Sequence, residues 1–193
     1  MPQSSLDSIL GVAMDQAAVV ARLKKFEGSV PYMYLCTGGE VTVGVGHAIP
    51  NPAKASQLSW QVGGAAPAPA QASADFEQVA AAQKGMLASA YAGLTQCRMS
   101  DGGIEALVEA DVLAFEARLA STLPNWNSYP APAQEALFDM AFNLGLGGLK
   151  KFPTMLAAID AGDWNTAAAQ SHRQGIGEAR NQEIAALLRS ASA

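Results

Sequence analysis

A chain of 193 residues, half of them hydrophobic, has enough apolar material for one compact domain with a sizeable core. A formal net charge of −5 excludes the basic face that nucleic-acid binding requires, and it gives no electrostatic help at anionic membranes or acidic wall polymers. Two histidines and two widely separated cysteines, Cys36 and Cys97, supply neither a metal-ligand cluster nor a disulfide framework. A single bridge between the two cysteines stays open, and no metal or other cofactor is expected.

The leading segment, MPQSSLDSILGVAMDQ, has no basic start, and Asp7 and Asp15 interrupt its apolar run. It does not read as a signal peptide. No run of about 20 apolar residues occurs, so no membrane span is expected. A target outside the cytoplasm would require another means of transport.

Residues 5 to 27 read as the first helix, with Leu6, Leu10, Ala13, Ala17, Val20 and Leu23 at helical spacing and Ser4 or Ser5 as its cap. Glu27 continues that apolar stripe, which predicts a partly desolvated carboxyl with a raised pKa. Gly28 ends the helix. Residues 32 to 36 and 40 to 46 read as two strands of a hairpin, with TGGE as the turn. Alternation puts Thr42, Gly44 and Gly46 on one strand face, with room for something to approach the backbone closely.

Residues 50 to 72 are rich in Pro, Ala and Gly and read as a long loop. Helices are expected at 73 to 95, 103 to 122, 132 to 146, 153 to 160, 163 to 171 and 178 to 190. The 132 to 146 helix is apolar nearly all round, which makes it central, apart from a stripe of Glu135, Asp139 and Asn143. The fold class is α+β: a small lobe with a β-hairpin and a mostly helical lobe. The expected organisation is a single domain over 1 to 193, with an N-terminal extension at 1 to 17, the hairpin lobe and loop at 18 to 75, and the helical lobe at 76 to 193.

Taken singly, the chemistry-bearing residues have plain structural readings. Glu27 can fray outward past the helix end, Cys36 can be a small buried hydrophobe, Thr42 a β-former, and His47 a hydrogen-bonded structural histidine. Together, Glu27, Cys36 nine residues on, Thr42 six further and then GVGH resemble the active-site segment of the phage-type lysozymes. That family usually has aspartate, and in some endolysins cysteine, where Cys36 stands. The likeness extends through EALVEADVLAFEARL, through ALFDMAFNLGLGGLKKFPTMLAAIDAGDWNTAAAQ and through RQGIGEARNQEIAAL. It covers roughly residues 18 to 190, with the 50 to 75 loop unmatched.

The resemblance implies a lysozyme-like fold and a muramidase that cuts the β-1,4 bond between N-acetylmuramic acid and N-acetylglucosamine in peptidoglycan. Glu27 would be the general acid, with Cys36 and Thr42 positioning or activating water. Cys36 has three readings: thiolate base, nucleophile giving retention, or a group that only orients Thr42 and water. Asn143 and Gly44 are the substrate-binding candidates. Arg180 is the candidate partner that positions Glu27, and Arg173 the substitute for that role, because Ala179-Arg180 stands where the family has two arginines. His47 and Asp111 are read as structural.

The expected partner is the glycan strand, acted on by a monomer in the periplasm or wall. Release through a holin pore and delivery as an antibacterial toxin, with an immunity or inhibitor protein, are the two settings. Two other functions compete: a Cys36-dependent peptidase or amidase with His47 as base, and a non-catalytic wall-binding module.

Overall fold

The computed structural model describes residues 13–192. The chain forms two compact units, Arg22–Asp111 and Met1–Ala21 with Val112–Ala193. The start expected for the first helix at residue 5, with its Ser4 or Ser5 cap, lies outside the described residues. Helix α1 is Gln16–Glu27, and Asp15 caps it by accepting from the Ala18 N–H at 3.1 Å. Gly28, at φ 76°, ends it as expected, with its N–H donating to the Lys24 carbonyl at 3.1 Å.

In the first unit, strands β1 (Val30–Leu35), β2 (Val41–Gly44) and β3 (His47–Ala48) form an antiparallel sheet in that order. The register pairs Tyr34 with Thr42 and Leu35 with Val41, and it is irregular between Val30 and Tyr34. The turn is fixed by its hydrogen bonds. Cys36 N–H donates to the Glu40 carbonyl at 3.0 Å, and Gly39 N–H donates to the Cys36 carbonyl at 2.8 Å. Gly39 takes φ 80°, the left-handed position that a three-residue hairpin loop needs.

The stretch expected as a loop is partly ordered. Asn51 caps a short helix α2 (Pro52–Ala55) by accepting from Lys54 N–H at 2.9 Å, with Pro52 in the first turn. Strand β4 (Trp60–Gln61) pairs with β5 (Arg98–Met99). The helix expected at 73 to 95 is broken. Helix α3 is Gln71–Ala80, and a 3-10 stretch, Ala88–Leu94, follows after a turn through Gly85 at φ 78°.

Buried Asp75 ties this region together, accepting from the Gln96 and Cys97 N–H groups at 2.8 and 2.7 Å. These ties and the β4–β5 pairing explain why the hairpin unit runs on to Asp111 rather than ending near residue 75. Helix α4 (Asp101–Thr122) starts where Ser100 Oγ accepts from Gly103 N–H at 3.1 Å.

In the second unit the central helix is α5 (Ala131–Leu149), interrupted at Gly145 (φ 73°, ψ 162°) close to the end expected at 146. It is buried from Ala133 to Ala141. Phe138 and Phe142 of this helix stack on one another at 6.1 Å, and Phe115 of α4 meets both edge-on at 5.3 and 5.8 Å between ring centroids. Helices α6 (Pro153–Asp160), α7 (Trp164–Ala169) and α8 (Glu178–Ser190) follow, close to their expected bounds. The fold is α+β, with small antiparallel sheets in one unit and helices dominating the other, as the sequence predicts. No helix among the described residues is long and apolar enough to cross a membrane.

Candidate active site

Side chains two apart on a strand share a face, and cross-strand partners share it too. Tyr34, Cys36 and Thr42 therefore lie on one face of the hairpin. Gly38 sits beneath the sulfur, where a Cβ would stand 3.6 Å from Cys36 Sγ. Burial pushes the thiol pKa up, but hydrogen bonds from the Glu40 backbone, the Thr42 hydroxyl and the Gly38 backbone outweigh it and hold the thiol below its ordinary value. Cys36 is half-buried and Thr42 only 3 % exposed, so the sulfur is the solvent-facing member of the pair. Cys36 and Cys97 are both free thiols.

Thr42 Oγ1 also lies 3.0 Å from the Glu40 carbonyl. A hydroxyl carries one proton, so the two bonds alternate. Beside a neutral thiol the proton goes to the carbonyl; beside a thiolate it turns to the sulfur.

Glu27 is the last residue of α1. The helix end is held by an ion pair between Lys24 and Glu105 of α4. The desolvation expected for Glu27 is not seen: the buried stripe of Val19, Val20 and Leu23 stops at Leu23, and Glu27 is exposed. Tyr34 links the acid to the cysteine. Burial raises its phenol pKa, and the charges of Cys36 and Glu27 push it the same way, so both lie within electrostatic reach of one ring.

The open strand face expected along Thr42, Gly44 and Gly46 is largely filled. All four residues of β2 are buried, and a Cβ on Gly44 would meet Ile104 Cγ2 at 3.5 Å. The side chains nearest to a Cβ on Gly44 are Ile104 and Leu107 of helix α4. His47 finds the polar partner that the sequence leaves unnamed, with Nδ1 lying 2.8 and 3.0 Å from the two carboxylate oxygens of Asp111. Asp111 is half-buried, with its side chain 35 % exposed.

Asn143 and Arg180 belong to the other unit, around Asp139. Arg180 grips both Asp139 oxygens at 2.9 to 3.1 Å, and Arg173 Nη1 donates to Oδ1 at 2.9 Å. Asn181 Oδ1 accepts from Arg173 N and Nε at 3.2 and 3.3 Å, completing a buried clamp. Half-buried Asn143 lies at its rim, with Oδ1 3.5 Å from Arg173 Nη1.

Sequence reasoning missed Tyr34, although its position two residues before Cys36 was a usable signal. It also missed the convergence of Arg173, Arg180 and Asn181 on Asp139, which no local pattern announces.

A 44-residue segment is 50 % identical to part of the pre-baseplate central spike protein Gp5 of Enterobacteria phage T4. The match spans 23 % of this chain and only 8 % of that protein. A family model described as phage lysozyme matches residues 24–190, and the chain thus belongs to the phage lysozyme family.

Proposed function

We propose that the protein is a muramidase that cleaves the β-1,4 bond between N-acetylmuramic acid and N-acetylglucosamine, with Glu27 as general acid and Cys36 as the group that activates water. One observation carries this reading: a lowered-pKa thiol, hydrogen-bonded to Thr42, shares a tyrosine neighbour with the helix-terminal acid. Glu27 protonates the leaving glycosidic oxygen. A water on the opposite sugar face gives its proton to the Cys36 thiolate and its oxygen to the anomeric carbon, inverting it. Thr42, buried behind the sulfur, acts through it as a positioning residue.

Asn143 is proposed as a sugar contact. Arg180 is proposed as support for the acid, and it is itself anchored by Asp139. His47 is structural, held by Asp111. The peptidase reading needs imidazole on the sulfur, whereas the sulfur's partners are Glu40, Thr42 and Gly38. Between release through a pore and delivery as a toxin we favour delivery, on the acidic balance of the chain, net charge −5. An immunity or inhibitor gene beside this one would support it, and a holin gene there would overturn it.

The test of the chemistry is Glu27→Gln, which keeps the shape and removes the proton. Lysis of purified sacculi should fall about 10²- to 10⁴-fold with the fold intact. Activity within a factor of a few of wild type rejects the assignment.

A further inference from the structure

We propose that a second pocket, on the helical unit, is an accessory saccharide site that takes one neutral N-acetylhexosamine residue of the wall glycan. The pocket encloses about 450 Å³ and lies where the Trp126–Ser128 turn meets the end of α6 and the start of α7. That volume falls within the range of about 300–1,000 Å³ typical of small-molecule sites.

Its lining combines an aromatic wall with a fixed polar edge. Trp164 is half-exposed and lines the pocket, and among the described residues no acceptor takes its indole N–H. An indole offers a flat apolar face for the C–H face of a pyranose and an N–H for a hydroxyl or acetyl oxygen. Asp160 also lines the pocket. Its Oδ1 accepts from Asn125 Nδ2 at 2.9 Å and from the Tyr129 hydroxyl at 2.6 Å, which orients the carboxylate and leaves Oδ2 as an acceptor without a partner among the described residues. Tyr129 is itself buried, so it serves as the post for Asp160, not as a stacking surface.

The charge selects the sugar. Asn125 and then Tyr129 hold the Asp160 carboxyl below the usual carboxylate range, so the pocket presents a permanent anion. Free N-acetylmuramic acid, or a residue of the strand without a peptide on its lactyl group, brings a carboxylate and is repelled. The neutral N-acetylglucosamine residue is accepted, its hydroxyls donating to Oδ2. A chain with net charge −5 has no electrostatic hold on an anionic wall. A second, uncharged grip on the same strand raises effective affinity without new chemistry.

The inference rests on the wall glycan being the substrate, and its test is read in Glu27→Gln protein, where turnover should be slowed about 10²- to 10⁴-fold. Titration with chitotetraose, an N-acetylglucosamine tetramer, should move the Trp164 indole N–H resonance, and an equal concentration of N-acetylmuramic acid should not. Trp164→Ala should weaken binding of this protein to sacculi about 5- to 10-fold. In the otherwise wild-type enzyme the same change should raise KM for sacculi by that factor and leave kcat on short soluble oligosaccharides unchanged. Asp160→Asn, which keeps an oxygen facing Tyr129, should let N-acetylmuramic acid in. An indole resonance that stays still with chitotetraose, or that moves only with free lysine as a cationic probe, overturns the proposal. Full lysis by Glu27→Gln would refute the catalytic assignment instead and leave the resonance shifts to be judged on their own.

Discussion

Cys36 is the residue at which this chain departs from the aspartate usual in its family, and its surroundings say what a thiol needs in order to stand there. A free thiol is mostly protonated at neutral pH and is a weak base. Three hydrogen bonds that favour the thiolate offset the desolvation that opposes it. If the thiolate is the base, Cys36→Ala should cost about 10²- to 10⁴-fold in lysis. Cys36→Asp should stay active, and Cys36→Ser should approach Ala, because a hydroxyl positions water but accepts its proton poorly. The limb of the pH–activity profile that reports Cys36 should move to lower pH in Cys36→Asp. It should move to higher pH in Thr42→Val, which deletes a hydrogen bond that lowers the thiol pKa while keeping the shape. Wild-type rates in Cys36→Ala would reduce the sulfur to a packing group under the hairpin, leaving Glu27 in place.

At the scale of elements, β2 shows how packing and function are separated. Gly44 has φ 65° and faces Ile104 and Leu107. A Cβ there meets only ordinary contacts, so the cost of Gly44→Ala is the left-handed backbone, about 1–2 kcal/mol. Denaturant unfolding should show that loss, while activity per folded molecule stays within about two-fold; a large drop in kcat/KM at unchanged stability would make Gly44 a substrate contact instead.

The same distinction explains what was legible in the sequence. Helix α6 and helix α8 fall where periodicity puts them, because Pro153 and the apolar stripe of α8 are local signals. Glu27, Cys36 and Thr42 were legible through fixed spacing along one helix–hairpin segment. The break after Ala80 was hidden because Gly85 inside an alanine-rich run reads as a tolerated helix residue. The β4–β5 pairing was hidden because two-residue strands carry no alternation to detect. The exposure of Glu27 stayed one of two readings, since one residue decides whether a helix end continues the buried stripe or leaves it. Asp111 lies 64 residues from His47, and only the folded chain joins them.

For the whole molecule, the titrating groups bound a window in which fold and activity coexist. Asp160 is depressed by Asn125 and then Tyr129, so its contribution to stability is present above the ordinary carboxylate range and is lost as pH falls through its lower folded value. At the alkaline end stands Cys97, fully buried, with its pKa raised from 9.0 to about 12 by burial first and then by the Asp75 hydrogen bond and charge. The sign is opposite: a folded state that prefers the neutral thiol has that stability complete below pH 9 and loses it as pH rises towards 12. The loss at full titration is on the order of 4 kcal/mol. Tyr129, raised by burial and by Asp160, works in the same direction. Cys36, by contrast, is lowered, so its thiolate forms while Cys97 is still neutral. The limb of the activity profile that reports Cys36 should therefore lie below the pH at which alkaline unfolding begins, and the two cysteines can be told apart by which curve each one moves. Cys97→Ala should cost some stability at pH 7 through the small cavity it leaves, yet lose less than wild type between pH 8 and about 11. Its Cys36 limb of the activity profile should not move. Thermal unfolding across that pH range, run beside the lysis profile, checks both halves: parallel stability curves for wild type and Cys97→Ala would remove Cys97 from the alkaline transition, and a displaced activity limb would mean that the limb does not report Cys36.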